Sequence, residues 1–509
     1  MPDQNLWDAF CAVAAREPSR PALLMPGTAV DFATVRTRAE HYRQYLLGAG
    51  VQPGDRVLVL AQNSPETLAA MLGVWGSAGI VAMADASLRA PQLRHAAETV
   101  SPRLCLSTAE LPAGELPCPV VRPAQIEASD ARRSPSRQPL PTDAASIMFT
   151  SGSTGRAKGV VQSHGNILRG SRAVAGYLGL KETDRVLCPV PWAFDYGFVQ
   201  LHFTLVLGLT HVTLAQANPF AVCAAIQEHR PQLFAGIPSL YTYLLRGVSP
   251  LRNTDLSSLR VLTNSGGAIP APVLQDLVAL APQCRLFLNY GLTETYRTSY
   301  LDPERVATHP LSIGRPIPGV DVVILRPDGS RAGTGEVGEI VHRGDYVCLG
   351  YWNQPEATAR AVRADPLLPP ESPDRGRALY TGDLGSIDAD GLLYYHGRRD
   401  QQLKSMGVRV SPSEVEALLH QSGFLLEVAV FGMPHDMLGD EIWAAVVPAG
   451  PVDGLQQKLQ AHAKQVMSPY MTPRRWLIRE ALPRTSTGKI DYPALKAEAR
   501  LAPSAQLSG

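Results

Sequence analysis

Short runs rich in Val, Leu and Ile alternate with stretches of helical period along most of this chain, and that alternation limits the fold more than any other feature. Residues 56–61 read as a buried strand, with a helix from about Ser64; residues 79–84 and 103–106 are further strands and 166–177 a helix. The unit recurs downstream as strand 233–237, helix 239–246, strand 261–263, helix 271–280 and strand 286–288. Strands without polar residues at alternate positions have to be covered on both faces, so helices must flank the sheets and the class is α/β. In such folds ligands gather at the carboxyl ends of strands. Several of these strands end beside chemically distinctive residues.

With 509 residues the chain exceeds one ordinary core, which calls for two or more domains. Residues 5–48 read as helices at both ends of a hairpin whose turn is Pro26-Gly27. The polar stretch 126–144 is an exposed connection. Residues 311–397 change to short strands with turn signals, a β-rich subdomain, and 364–378 is a Pro-rich loop within it. After Arg399 comes a smaller unit: a hairpin around Gly407, helix 413–421, strand 428–431 and a helix from Gly454. The expected division is a large N-terminal domain, 1–399, of helix-covered sheets plus the β-rich subdomain, and a small α+β C-terminal domain, 400–509.

Net charge of +1 gives no reason to expect a nucleic-acid or anionic-membrane partner. The seven cysteines are scattered singly, which fits neither a disulfide framework nor a zinc site. Of the long uncharged runs, 67–84 reads as a buried helix turning into a strand, and 196–227 as helix, strand and helix, so membrane insertion is not expected. No signal peptide is evident, and a cytoplasmic enzyme is the expectation.

Between the apolar runs 147–149 and 160–161 lie four hydroxyl side chains, three glycines and one lysine: Thr150-Ser151-Gly152-Ser153-Thr154-Gly155-Arg156-Ala157-Lys158-Gly159. Glycines let backbone N–H groups turn towards an anion, hydroxyls add donors and the lysine supplies a point charge, so the loop suits a polyphosphate. It is not the Walker pattern, because Lys158 is followed by Gly159 and more strand. Taken alone, it reads equally as a Ser/Gly surface turn. Gly266-Gly267-Ala268 after strand 261–263 is likewise a turn or a flat surface for a ring, Asp383 a turn cap or a ligand, and Lys489 a surface lysine.

Taken together, the loop 150–159, Asn289-Tyr290-Gly291-Leu292-Thr293-Glu294, Tyr380-Thr381-Gly382-Asp383, Gly397-Arg398-Arg399-Asp400 with Lys404-Ser405-Met406-Gly407, and Thr487-Gly488-Lys489 resemble, in order and spacing, the motifs of adenylate-forming enzymes. That superfamily contains acyl-CoA synthetases, adenylation domains of nonribosomal peptide synthetases and luciferases. The resemblance implies a carboxylate attacking the α-phosphorus of ATP with loss of pyrophosphate, then a thiol attacking the acyl-adenylate with loss of AMP. Both reactants of the first step are anions, so positioning and charge neutralisation carry the catalysis.

By this resemblance residues 150–159 hold the β- and γ-phosphates, Glu294 binds Mg2+ with Thr150 nearby, and Thr293 contacts phosphate. Asp383 and Arg398 hold the ribose, while Gly266, Gly267 and Ala268 lie against adenine with Tyr290 on its other face; Asn289, Gly291 and Tyr395 complete the nucleotide site. Lys489 reaches from the small domain to the α-phosphate. The small domain is mobile in the family: rotation about Asp400 withdraws Lys489 and brings Gly407 to the path of a pantetheine arm. Gly155-Arg156-Ala157-Lys158 departs from the family's usual proline before the lysine.

Asp195, in Pro191-Trp192-Ala193-Phe194-Asp195-Tyr196-Gly197, matches the position where amino-acid-activating members meet the substrate ammonium. Its alternative partner is Arg297, which in turn suits a second substrate carboxylate. The resemblance adds Tyr196, Val199, Ser239, Thr263, Ser265, Asn289 and Thr298 to the acyl pocket. Residues 404–416 look more like an acyl-CoA synthetase than a peptide synthetase. The leading expectation is a ligase for a small polar or amino acid that passes the acyl group to the phosphopantetheine of a separate carrier protein, or to CoA. The alternatives are an acyl-CoA ligase for a non-amino acid, with Asp195 neutralised by Arg297, a nucleotide-binding regulator without chemistry, and an oxidoreductase of the luciferase kind.

Overall fold

Arg56–Ala61, Ile80–Asp85, Leu104–Ser107 and Ala144–Thr150 are parallel strands of one sheet; Lys158–Ser163 then returns antiparallel to Ala144–Thr150, and Gly350–Tyr351 closes that edge. In the computed structural model, residues 4–501 are described except 89, 110, 112–115, 130–131, 151–157, 215–216, 374, 407, 436, 452 and 486–488. The expected phosphate loop thus leaves one strand at Thr150 and re-enters the next at Lys158, which pair directly in the ladder. The helix Pro65–Gly76 covers this sheet: Ser64 caps it through the Thr67 N–H, worth about 1 kcal/mol, and Trp75 Nε1 donates to Ala145 O at 2.9 Å.

A second, longer sheet carries most of the site. Its parallel part runs Thr210–Val212, Arg185–Leu187, Leu233–Gly236, Val261–Asn264, Arg285–Tyr290. Ser299–Leu301, Ser312–Pro316, Leu393–Arg398, Ala378–Ile387, Gly338–Gly344 and Val320–Leu325 extend it antiparallel. The switch from parallel to antiparallel falls at Tyr290–Ser299, and the chain between these strands carries Glu294 and Arg297. The uncharged run 196–227 is helix Asp195–Leu207, strand Thr210–Val212 and helix Pro219–His229, as expected. Among the described residues no helix is long and apolar enough to cross a membrane.

The third sheet belongs to the smaller C-terminal α+β subdomain. Leu403–Ser405 and Val408–Val410 form the expected hairpin, but the strand expected at 428–431 is Leu425–His435, paired along its length with a strand the pattern did not announce, Gly439–Pro448. Arg475–Ile478 adds a further strand in parallel. Side chains alternate faces with period 2: Val428, Val430, Ile442, Ala444 and Val446 pack into one core, and Ala429, Phe431, Trp443, Ala445 and Val447 into another. A sheet with two buried faces reads as an unbroken apolar run. Glu427 and Arg484 of this subdomain, paired at 2.6 Å, sit against Tyr243 of the larger domain.

Candidate active site

The helix Asp195–Leu207 begins where the chain turns sharply after Pro191. A Cβ on Gly197 would lie 2.4 Å from Pro191 O, so only glycine lets the helix start this close to the preceding segment and set Asp195 in place. Asp195 is partly buried, and burial pushes its carboxyl up to about 7 against the opposing pull of Arg297 and Lys489, with Glu294 adding to the rise. Lys489 is exposed, its carbonyl accepts from Thr485 N at 2.7 Å, and its charge acts on the same carboxylate as that of Arg297. Residues from the helix start, the strand switch and the C-terminal subdomain converge here.

Around the switch, the loop 291–294 is braced from the first sheet. Gln162 Nε2 donates to Thr293 O at 2.8 Å, Asn166 Nδ2 donates to Gln162 Oε1 at 3.1 Å, and Cys348 N donates to Glu294 O at 2.7 Å. Glu294 Oε1 accepts the Tyr351 hydroxyl at 2.8 Å, and the Lys158 ammonium lies 4.9 Å from the centre of the same Tyr351 ring. Lys158, Thr150 and Glu294 are thus brought to one place, a basic and carboxylate set that can hold phosphate and a divalent cation. Ser151, Gly152, Ser153, Thr154 and Gly155 lie outside the described residues, as does Gly407.

On the antiparallel side, Asp383 is nearly buried. Its Oδ2 accepts from the Tyr290 hydroxyl at 2.6 Å and its Oδ1 from Arg398 Nη1 at 3.0 Å; Asp400 Oδ1 accepts from Arg398 Nε at 3.4 Å. Burial raises the Asp383 carboxyl, opposed by Arg398 and the Tyr290 hydrogen bond. Tyr395 lies 6.0 Å from Tyr290, ring centre to ring centre. Gly266, Gly267 and Ala268 are exposed beyond the strand Val261–Asn264, and Gly266 has φ +88° with no neighbour among the described residues within 4 Å of where a Cβ would stand. An exposed backbone turn, an aromatic pair and a carboxylate–guanidinium pair are groups against which a flat ring and a sugar's hydroxyls can be set.

The acyl-pocket candidates divide. Tyr196, Thr263, Ser265 and Arg297 are buried together at the strand ends, and Ser239 is half-buried at the start of the helix Pro238–Arg246. Val199 belongs to the main core. Asn289 Nδ2 donates to Thr263 Oγ1 and to Asn264 O at 3.0 Å, and its Oδ1 accepts the Tyr177 hydroxyl at 2.7 Å, so its amide ties two strands together. The fully buried Thr298 shares its hydroxyl with Thr295 Oγ1 at 3.0 Å and His342 Nδ1 at 3.1 Å. These last three build the pocket wall from behind.

The sequence reading missed Tyr351, Gln162 and Glu339. Glu339 accepts from Gly382 N at 3.0 Å and from Arg399 at 2.9 Å, which ties the Asp383 turn to the segment bearing Asp400. Each acts through a contact between segments far apart in sequence, a signal that local pattern does not carry.

The family model of the AMP-binding enzymes matches residues 10–352, and that of the AMP-binding enzyme C-terminal domain matches 414–489. The chain is 31% identical to feruloyl-CoA synthase of Amycolatopsis sp. over 96% of each chain. It is 29% identical to tyrocidine synthase 3 of Brevibacillus parabrevis over 97% of this chain and 8% of that protein. Among solved structures, o-succinylbenzoate CoA synthetase from Bacillus subtilis in complex with its acyl-adenylate intermediate superposes with a TM-score of 0.85 at 26% identity, covering 97% of this chain and 99% of that one. With that likeness and the converging Lys158, Glu294, Asp383 and Lys489, the chain belongs to the AMP-binding enzyme family and is an AMP-forming acid–thiol ligase, which uses ATP to activate a small carboxylic acid as an acyl-adenylate.

Proposed function

We propose that this ligase passes its acyl group to coenzyme A, and that its acid is small and polar. The observation that carries the acceptor is the correspondence with feruloyl-CoA synthase along 96% of both chains. It moves the balance away from the carrier protein that Asp195 alone favoured. In this reading Lys158, Thr150 and the loop between them grip the β- and γ-phosphates, Glu294 takes Mg2+ through the oxygen that Tyr351 leaves free, and Asp383 with Arg398 holds the ribose. Lys489 offsets charge at the α-phosphate. The boundary falls at 399/400, with Asp400 the hinge about which the C-terminal subdomain turns between the two half-reactions.

For a non-amino acid, Asp195 is offset by the nearby Arg297 charge and by a proton, since its carboxyl sits near 7. The amino-acid reading keeps two observations in its favour, the likeness to tyrocidine synthase 3 and a partly buried Asp195 that has no direct ion pair to Arg297 among the described residues. ATP–pyrophosphate exchange across a panel of acids, followed by thioester assays with CoA and with a phosphopantetheinylated carrier protein, separates the two. Thioester formed with CoA from acids lacking an amino group is the expected result. Exchange confined to amino acids, with loss of exchange in Asp195→Ala and transfer only to carrier protein, overturns it.

A further inference from the structure

Arg297 is 2% exposed, and its Nε and Nη1 are buried with no hydrogen-bond partner among the described residues. A guanidinium presents donors in a fixed planar fork and stays charged, so leaving them unmet inside a protein is costly. The fold supplies only partial relief: the Tyr196 ring centre lies 5.3 Å from the guanidinium carbon, and the Asp195 charge lies near without a direct ion pair among the described residues. The buried Tyr196 hydroxyl has the Thr263 side chain beside it but makes no well-formed hydrogen bond among the described residues. These unmet donors share the pocket that holds Asp195, the residue within electrostatic reach of Lys489. By contrast, Asn289 and Thr298 beside them have every polar atom engaged.

We propose that Arg297 is the specificity-determining residue of the acyl pocket, receiving with the Tyr196 hydroxyl a second oxygen acceptor on the substrate, distinct from the carboxylate that is adenylated. This rests on the reading of the pocket as the acid site of an acyl-CoA ligase. A substrate oxygen supplies what the fold withholds, and an apolar acid of the same size leaves the guanidinium buried and unmet, which is the situation in which hydrogen-bonding pockets discriminate most strongly. The acceptor is either a second carboxylate or a neutral hydroxyl or carbonyl. Charge separates the two: a dicarboxylate alongside Arg297 needs Asp195 protonated, whereas a neutral acceptor leaves the Arg297–Asp195 balance as it is.

The test is ATP–pyrophosphate exchange with acids matched in size, one set apolar, one hydroxylated or oxo-substituted, one dicarboxylic. We expect kcat/KM at least 100-fold higher for one oxygenated set than for the apolar set, and Arg297→Met to narrow that ratio to below tenfold while AMP binding, followed by calorimetry, stays unchanged. Arg297→Lys should recover part of the preference, because it keeps the charge without the fork. Dicarboxylic acids favoured more at pH 6 than at pH 8 would identify the anionic acceptor; a pH-independent preference would identify the neutral one. Equal exchange with apolar and oxygenated acids, or an Arg297→Met variant with undiminished preference, overturns the proposal while leaving the ligase reading intact. Exchange with no acid in any set, in protein that binds AMP, counts against the ligase reading itself.

Discussion

The Tyr351 hydroxyl donates to Glu294 Oε1 at 2.8 Å, and the same ring lies under the Lys158 ammonium at 4.9 Å. One side chain therefore sets the proposed metal carboxylate and the proposed phosphate lysine at fixed positions. Tyr351 itself is held in the edge strand that pairs with Lys158–Ser163, Tyr351 opposite Val160. The geometry makes Tyr351 a positioning residue for both.

Tyr351→Phe keeps the ring under Lys158 and removes only the hydrogen bond. A hydrogen bond to a charged group is worth about 1.5–3 kcal/mol, so pyrophosphate exchange should fall by about 10- to 100-fold, with the loss partly recovered at high Mg2+. Titrating exchange against Mg2+ checks it. A loss that is the same at all Mg2+ concentrations would show that Tyr351 does not act through Glu294.

Lys489, in the C-terminal subdomain, acts electrostatically on Asp195. If it serves the α-phosphate in the first half-reaction alone, Lys489→Ala should lower adenylation by about 100- to 1,000-fold, the usual cost of a lost charge-stabilising donor. Thioester formation from a supplied acyl-adenylate should stay within a few-fold of the parent. Single-turnover assays of the two halves measure this directly, and equal losses in both would rule out alternation of the subdomain.

The backbone setting of candidates at a strand end or a glycine turn is legible in the sequence: Asp383 after Thr381-Gly382, Glu294 after Tyr290-Gly291, and Lys158 at the head of a strand. Their backbone setting is local, and so is its signature. The strand Gly439–Pro448 is not legible there, because Ile442 to Val447 alternate between two buried cores and leave no polar position to mark a period. Nor can sequence tell that Asn289 and Thr298 spend their polar groups on Tyr177, Thr263 and His342 while Arg297 spends neither Nε nor Nη1. Position in a motif places a residue near a pocket; only its partners say whether it has anything left to offer a ligand.

The Asp195 carboxyl titrates near 7 in the folded protein against an ordinary value of 3.8. Between those values the folded chain holds a proton there that the unfolded chain has released, so the site makes stability fall as pH rises from about 4 to 7. Asp195→Asn removes that dependence. Urea unfolding should show the variant gaining about 2–4 kcal/mol relative to the parent on going from pH 4 to pH 8. A stability difference that is the same at both pH values would mean that Asp195 is not held in a charge-averse site.

Gly266 stands at φ +88° just beyond Val261–Asn264, with no atom of the described residues within 4 Å of its missing Cβ. Alanine there meets no atom of the described residues, so its cost to the fold is the backbone strain, about 1–2 kcal/mol. If the base of the nucleotide lies against this glycine, the added methyl group stands in its place, and binding should suffer more than folding does. Thermal unfolding with and without AMP separates the two effects, since ligand stabilisation follows the affinity for the folded state. We expect Gly266→Ala to melt a few degrees lower without AMP and to lose most of the AMP-induced rise. A full AMP-induced rise in the variant would place the base elsewhere and leave Gly266 as a turn residue only.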